Sequence, residues 1–201
     1  MFYTTDTNQH GLKHDPFKAI VAPRPIGWIG TKGRDGSLNL GPYSFFNAIS
    51  DSPKLVMFAS SGAKHSFQNA EETGVFTANL VSRNLTDHMN KSSAPVEYGV
   101  DEFVLAGLTA VPGRVVDAPY VGEAFAALEC RVTEILRPKD IDGNPSSSYM
   151  VIGQVMGIHL SEDVLRDGRI DMALARPIGR MGYMDYADGG AEVFEMFRPT
   201  V

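Results

Sequence analysis

Residues 24–53 read Arg-Pro-Ile-Gly-Trp-Ile-Gly-Thr-Lys-Gly-Arg-Asp-Gly-Ser-Leu-Asn-Leu-Gly-Pro-Tyr-Ser-Phe-Phe-Asn-Ala-Ile-Ser-Asp-Ser-Pro. Ile26 to Thr31 is β-branched, aromatic and glycine-containing, the composition of a buried strand. Arg34-Asp35-Gly36-Ser37 is a turn signal, since Asp-Gly tolerates the positive φ of tight hairpins. Leu38 to Phe46 returns as a second strand, and Gly41-Pro42 marks it as bent or at an edge. The stretch ends with Ser44, Asn47 and Ser50 among Phe45, Phe46, Ala48 and Ile49. Apolar surface with a few polar groups suits a flat heteroaromatic ligand. The same pattern also reads as a core strand whose serines find backbone partners.

Outward from this stretch, Leu55 to Ala59 is a third short apolar strand. Phe67 to Glu72 reads as a short helix capped by Ser66 and stopped by Gly74. Val75 to Val81 is a fourth strand, and Asn84 to Lys91 a second helix. Residues 92–122 are rich in Pro and Gly and read as a long excursion with one helical turn. Such a length suits a lid, a partner-contacting segment or a plain connection. Ala126, Leu128, Cys130 and Val132 alternate with Glu129, Arg131 and Thr133, which predicts a half-buried strand with a wet face. Tyr149 to Leu160 is another long strand, with glycines that permit curvature. Six or seven strands joined by turns and short helices predict a fold that is mainly β with short helices. The architecture expected is a closed antiparallel barrel of Greek-key type with helices outside. One domain spans 1–201, with a lead-in at 1–20, the excursion at 92–122 and a tail at 187–201.

The net charge of −6 argues against broad nucleic-acid binding, which needs clustered Lys and Arg. No stretch approaches the roughly 20 apolar residues of a membrane span. The first residues have no basic flank and no apolar run, so no signal peptide is expected. The single Cys130 excludes an internal disulfide and fits a reducing compartment, so a cytoplasmic protein is the base expectation. His10 and His14 are spaced for one helix face, but Gly11 and Pro16 weaken that helix and no third ligand is near. No metal is expected.

No nucleophile elbow, Walker loop, dinucleotide fingerprint or His-Glu-x-x-His motif is present. Cys130 lies in the apolar phase of its strand and reads as inert core. No catalytic side chain is assigned, so an enzyme built on this chain would rely on a bound cofactor. Ser60-Ser61-Gly62-Ala63-Lys64-His65-Ser66 joins a strand to a helix, where free amides and Lys64 favour an anion such as phosphate. A polar loop with a Ser cap is the plain alternative. Arg24 is a second phosphate or ring-edge contact, or a surface arginine between two prolines. His159 at a strand end is a ring contact or proton donor, or a structural histidine. Arg180 and Tyr183 lie in a glycine-rich turn that can approach a ligand, or are ordinary loop residues.

Five motifs occur together in order. They are Arg24-Pro-Ile-Gly-Trp-Ile-Gly-Thr31, Asn39-Leu-Gly-Pro-Tyr-Ser-Phe-Phe-Asn-Ala-Ile-Ser50, Lys64-His-Ser66, Gly74-Val-Phe-Thr-Ala-Asn-Leu-Val-Ser82 and Ile178-Gly-Arg-Met-Gly-x-x-x-Tyr186. With these the chain resembles the flavin reductase-like family of FMN-binding split β-barrel proteins, which includes flavoredoxin-type members. The resemblance covers roughly residues 20–187. It implies a homodimer with FMN near the subunit interface and NAD(P)H as electron donor, hydride passing from nicotinamide to flavin. It places the isoalloxazine against Ser44, Phe45, Phe46, Asn47, Ala48 and Ile49. The phosphate falls to Ser60, Ser61, Lys64, His65 and Ser66. Arg24, Thr31, Asn79, His159, Arg180 and Tyr183 are further contacts that it implies. An acceptor protein such as a monooxygenase component is an implied partner. Two departures stand out. Many stand-alone reductases carry Gly-Asp-His where this chain has Ser147-Ser-Tyr149, which leaves NAD(P)H use open. Relatives often have Gly-Gly where this chain has Gly182-Tyr183, so a bulky ring there would narrow or stack over the flavin pocket.

Overall fold

In the computed structural model, which describes residues 1–200, helix α1 (Phe17–Ile20) leads into β1 (Arg24–Pro25), β2 (Gly27–Lys32), β3 (Leu38–Tyr43), β4 (Phe46–Asp51) and β5 (Lys54–Ser61). Helix α2 (His65–Thr73) and β6 (Val75–Leu80) follow, then α3 (Thr86–Ser92), α4 (Glu102–Ala106), β7 (Ala110–Pro112) and β8 (Pro119–Val121). The long strands β9 (Ala126–Leu136) and β10 (Ser148–Leu160) precede β11 (Leu165–Arg166), β12 (Arg169–Ile170), α5 (Met172–Ala175), β13 (Ile178–Arg180) and β14 (Tyr186–Asp188).

Seven strands form one antiparallel sheet in the order β3-β2-β6-β9-β10-β5-β4. Its two ends are successive in sequence, and no ladder among the described residues joins them. The sheet nevertheless curls, so that each end strand packs side chains against the strand next to the other end. A Cβ on Gly27 of β2 would lie 2.4 Å from the Phe46 ring of β4. Tyr43 of β3 packs on Phe58 of β5 with ring centroids 5.0 Å apart. Inside the curl lies a core of Ile29, Phe46, Val56, Phe58, Phe76, Cys130 and Val151, plugged by Phe67 and Ala70 of α2. The mainly β architecture expected from the alternating segments is therefore present, as a curled sheet.

Local chemistry accounts for the turns. Gly36 takes φ +88° while Asp35 Oδ1 accepts from the Ser37 amide at 3.0 Å, closing the β2–β3 hairpin. Gly74 ends α2 in the left-handed conformation expected of a helix stop. Ser66 is not the cap of that helix. The cap position is Lys64, and Ser66 turns inward to accept from Asn39 Nδ2 at 2.8 Å. The strand read as Leu38 to Phe46 is two strands, because the chain turns a corner at Ser44-Phe45 and leaves Phe46 to start β4.

Residues 92–122 carry the helical turn expected of them, α4, together with the β7–β8 hairpin, and Phe103 and Val121 enter a second core with Trp28, Leu40, Val81 and Met89. Trp28 Nε1 donates to Ser92 Oγ at 2.8 Å, tying this layer to β2. The wet face of β9 is not wet at Glu129, which is 1% exposed. Cys130 is fully buried, and burial, then the Glu129 charge, pushes its thiol up to about 12.

Gly30 marks the tightest contact between these layers. A Cβ there would lie 2.4 Å from the Pro119 carbonyl oxygen, which also accepts from Thr77 Oγ1 at 2.6 Å. Gly30→Ala is expected to lose about 1–3 kcal/mol by overpacking. Denaturant unfolding checks this, and an unchanged midpoint would show that the hairpin yields freely.

Candidate functional site

The corner between β3 and β4, the loop after β5 and the first turn of α2 converge on one cleft of about 740 Å³. Ser44 and Phe45 form one wall, and Ser61, Ala63, Lys64, His65 and Ser66 form another. Residues 92–96, Glu102 and Lys18 complete the rim and floor. The loop keeps its shape because Ser60 Oγ donates to the Gly62 carbonyl at 2.8 Å and Gly62 takes φ +85°. No side chain caps α2, and its first backbone bond is from the Gln68 amide to the Lys64 carbonyl at 3.0 Å. The amides of the first turn are thus free for an anion at the positive end of the helix. Neither Lys18 nor Lys64 forms an ion pair among the described residues.

A buried polar layer stands behind the cleft. Thr31 Oγ1 accepts from Asn39 Nδ2 at 3.3 Å and from Asn69 Nδ2 at 3.1 Å, and Asn39 in turn holds Ser66. Tyr98 donates to Asn69 Oδ1 at 3.3 Å and presents its ring edge-on to His65, centroids 5.2 Å apart. Burial raises the Tyr43 hydroxyl pKa, while hydrogen bonds with Ser66 and Ser60 work against that rise.

Of the residues singled out in the sequence, the cleft collects Ser44, Phe45, Ser61, Lys64, His65 and Ser66. Ser60 is buried beneath them. Asn47, Ala48 and Ile49 are exposed along the edge strand β4, with Asn47 Oδ1 accepting from the Ala48 amide at 2.9 Å. Phe46 belongs to the core instead, because it fills the space that Gly27 leaves. Thr31 supports Ser66 from behind and is fully buried. Asn79 is fully buried too, donating to the Trp28 carbonyl and accepting from the Val121 amide, both at 2.8 Å, so it stitches the β7–β8 hairpin to the sheet.

Arg24 is 7% exposed and acts as a clamp. It donates to the carbonyls of Lys18 and Val21 and, at 3.0 Å, of Met181, fixing α1 against the turn after β13. Arg180, its cross-strand partner, donates to the Tyr186 hydroxyl and the Tyr183 carbonyl. Tyr183 is exposed at φ +55°, with its ring 5.5 Å from His14. These residues lie outside the cleft lining, and Arg24 alone bears on it, through the Lys18 carbonyl that it holds.

His159 belongs to another constellation. Ser148 pairs with Ser61 at the cleft end of β10, and His159 lies roughly 35 Å further along the strand path at the usual rise. Its Nε2 is 2.5 Å from Glu129 Oε1, and its ring stacks on Tyr120 at 4.0 Å. Glu129 also accepts from the Arg114, Val115 and Val116 amides at 2.8, 2.7 and 2.9 Å. Burial alone would raise this carboxyl. The three amides and His159 outweigh it and hold the carboxyl at about 2.

Glu102 and residues 92–96 reach the cleft by long-range packing and Lys18 comes from the lead-in helix, none with a signal in the sequence, whereas Tyr43 comes with the motif that holds Ser44. Among the described residues no group of three or more His, Cys, Asp or Glu could hold a metal ion. No described helix is long and apolar enough to cross a membrane.

A family model described as flavin reductase like domain matches residues 21–183. An uncharacterized protein of Deinococcus radiodurans is 36% identical over 194 residues, covering 90% of this chain and 82% of that protein. Among solved structures, nitrilotriacetate monooxygenase component B from Bacillus cereus superposes with a TM-score of 0.84 at 26% identity, covering 99% of this chain and 98% of that one. Flavoredoxin of Desulfovibrio vulgaris (Miyazaki F) superposes with a TM-score of 0.76, also at 26% identity, covering 89% and 91%.

Proposed function

Because the chain belongs to the flavin reductase-like family, we propose that it binds FMN in the cleft and works as an oxidoreductase, a flavin reductase that draws on NAD(P)H. The observation that carries this reading is the junction of an uncapped helix start with the Ser44-Phe45 corner in one cleft. The residues present fit the group. Free amides of α2, Lys64 and Lys18 suit a phosphate, and Phe45 with the exposed edge Asn47–Ile49 suits a flat ring. FMN would supply the hydride-accepting ring, so the chain needs no acid, base or nucleophile of its own. Its own residues bind the phosphate, orient the ring and leave one ring face accessible.

A homodimer is part of the proposal. Ile49, Met156, Ile158 and Leu160 are 48%, 43%, 57% and 38% exposed. The last three alternate along β10, a row of apolar side chains that a second copy would cover. The seven-stranded sheet would then serve as the split barrel of the family. Likeness to a monooxygenase component supports a monooxygenase as acceptor.

One observation favours a second reading, in which FMN is reduced without nicotinamide and the protein carries electrons to or from a partner. Tyr149 stands in the Ser147-Ser-Tyr149 segment, and its ring is occupied, 4.4 Å from Phe67 and 5.3 Å from the Arg137 guanidinium. Anaerobic mixing of FMN-loaded protein with NADH or NADPH decides between the two. The flavin reductase reading expects loss of the visible flavin absorbance with at least one donor. Unchanged absorbance with both would leave the carrier reading. Repeated turnover by the isolated protein would exclude a purely flavin-binding role.

A further inference from the structure

The floor of the cleft holds a carboxylate that flavin chemistry does not require. Glu102, the first residue of α4, is 5% exposed and borders the cleft. Its Oε2 accepts from the Leu40 amide at 3.0 Å. It forms no ion pair with any described cation. Oε1 has no partner among the described hydrogen bonds, yet Arg24 Nε is the only buried unpartnered side-chain nitrogen or oxygen among the described residues, so Oε1 is not sealed from solvent. Tyr43, Ser66 and Ser92 line the same cleft. A floor of hydroxyls and one carboxylate is poor ground for an aromatic ring and good ground for a chain of hydroxyl groups.

We propose that Glu102 is the hydrogen-bond acceptor for the hydroxyls of a polyol arm, the ribityl-type chain that joins ring to phosphate. The assignment rests on the flavin reading above and names the part of the ligand that Glu102 meets. A carboxylate accepting from a hydroxyl makes a charge-assisted bond, roughly twice as strong as a neutral one. Burial raises the Glu102 carboxyl above its ordinary range, opposed by the Leu40 amide and the nearby His65 charge. A carboxyl so placed can accept from one hydroxyl and, when protonated, donate to another. Facing the phosphate instead, the same group would repel it, so the two placements have opposite signatures.

Equilibrium titrations of Glu102→Gln with FMN, riboflavin and lumiflavin, which keeps the ring but lacks the polyol, separate them. Glutamine retains an oxygen for the Leu40 amide, and an unchanged melting temperature verifies the fold. The expected result is roughly tenfold weaker binding of FMN and riboflavin, with lumiflavin unaffected. Glu102→Asp, which keeps the charge but withdraws it, should give the same selectivity and serves if the glutamine variant does not fold. Equal shifts for all three ligands, or tighter FMN with riboflavin unchanged, would overturn the assignment. If the unsubstituted protein bound none of the three, the flavin reading itself would fail, and Glu102 with it.

Discussion

Replacing Glu129 by alanine is expected to destabilise the protein by about 3–5 kcal/mol, the cost of breaking a buried charged network. The carboxylate is nearly sealed from solvent and collects three consecutive backbone amides at 2.7–2.9 Å, together with His159 at 2.5 Å. Its removal strands the Arg114, Val115 and Val116 amides, and each buried orphan costs about 1–3 kcal/mol. The loop is packed tightly at this point, since a Cβ on Gly113 would meet the Val116 and Ala118 carbonyl oxygens at 2.5 and 2.8 Å and Glu129 Oε2 at 2.9 Å. The loop 113–118 should loosen first, with faster amide exchange than the rest of the sheet. Glu129 also sets an acid limit. Its folded value of about 2 lies below the ordinary 4.5. A depressed carboxyl contributes stability that is complete above 4.5 and drains away as pH falls toward 2. Melting temperature in the unsubstituted protein should therefore drop through that window, and Glu129→Gln should lie lower at neutral pH and drop less. Equal slopes for the two proteins would count against the assignment.

The second large effect concerns the cleft. Lys18→Ala combined with Lys64→Ala is expected to weaken FMN binding tenfold to a hundredfold, ~1.4–2.8 kcal/mol, while riboflavin binding hardly changes. Both lysines are exposed, line the cleft and lack an internal ion partner, so their loss leaves the fold intact and removes only charge. The loss should shrink as salt rises, because open charges are screened. Ser66 is a poorer choice for this test. Its hydroxyl holds Asn39, so an alanine there would disturb the buried layer as well as the ligand.

Local chemistry made part of this legible. The Asp35-Gly36 turn, the Gly74 stop and the long strand at 149–160 follow from φ requirements and side-chain alternation within a few residues. The loop at 60–66 was readable as the lead into a helix start, and a helix start exposes amides whatever surrounds it. Glu129 was not readable. Alternation assigns a glutamate to solvent, and only the return of residues 114–116 from the hairpin makes its burial favourable. The division of β3 from β4 depends likewise on where Phe46 finds space, which Gly27 supplies from another strand. Glu102 approaches the cleft through α4, by a contact with Leu40 far away in sequence, while Lys18 is held by Arg24, itself tied to Met181 across the chain. His159 looked like a ligand because of its strand end, yet that end is the one away from the cleft.

In the proposed function, the cleft holds the phosphate and ring of one flavin mononucleotide per chain. Calorimetric titration of the flavin-free protein with FMN and with riboflavin tests it most directly. The proposed function predicts one FMN per chain, bound at least tenfold more tightly than riboflavin, with the difference abolished in the Lys18→Ala, Lys64→Ala protein. Equal affinities for the two flavins in the unsubstituted protein, or a preference that survives the loss of both lysines, would contradict it.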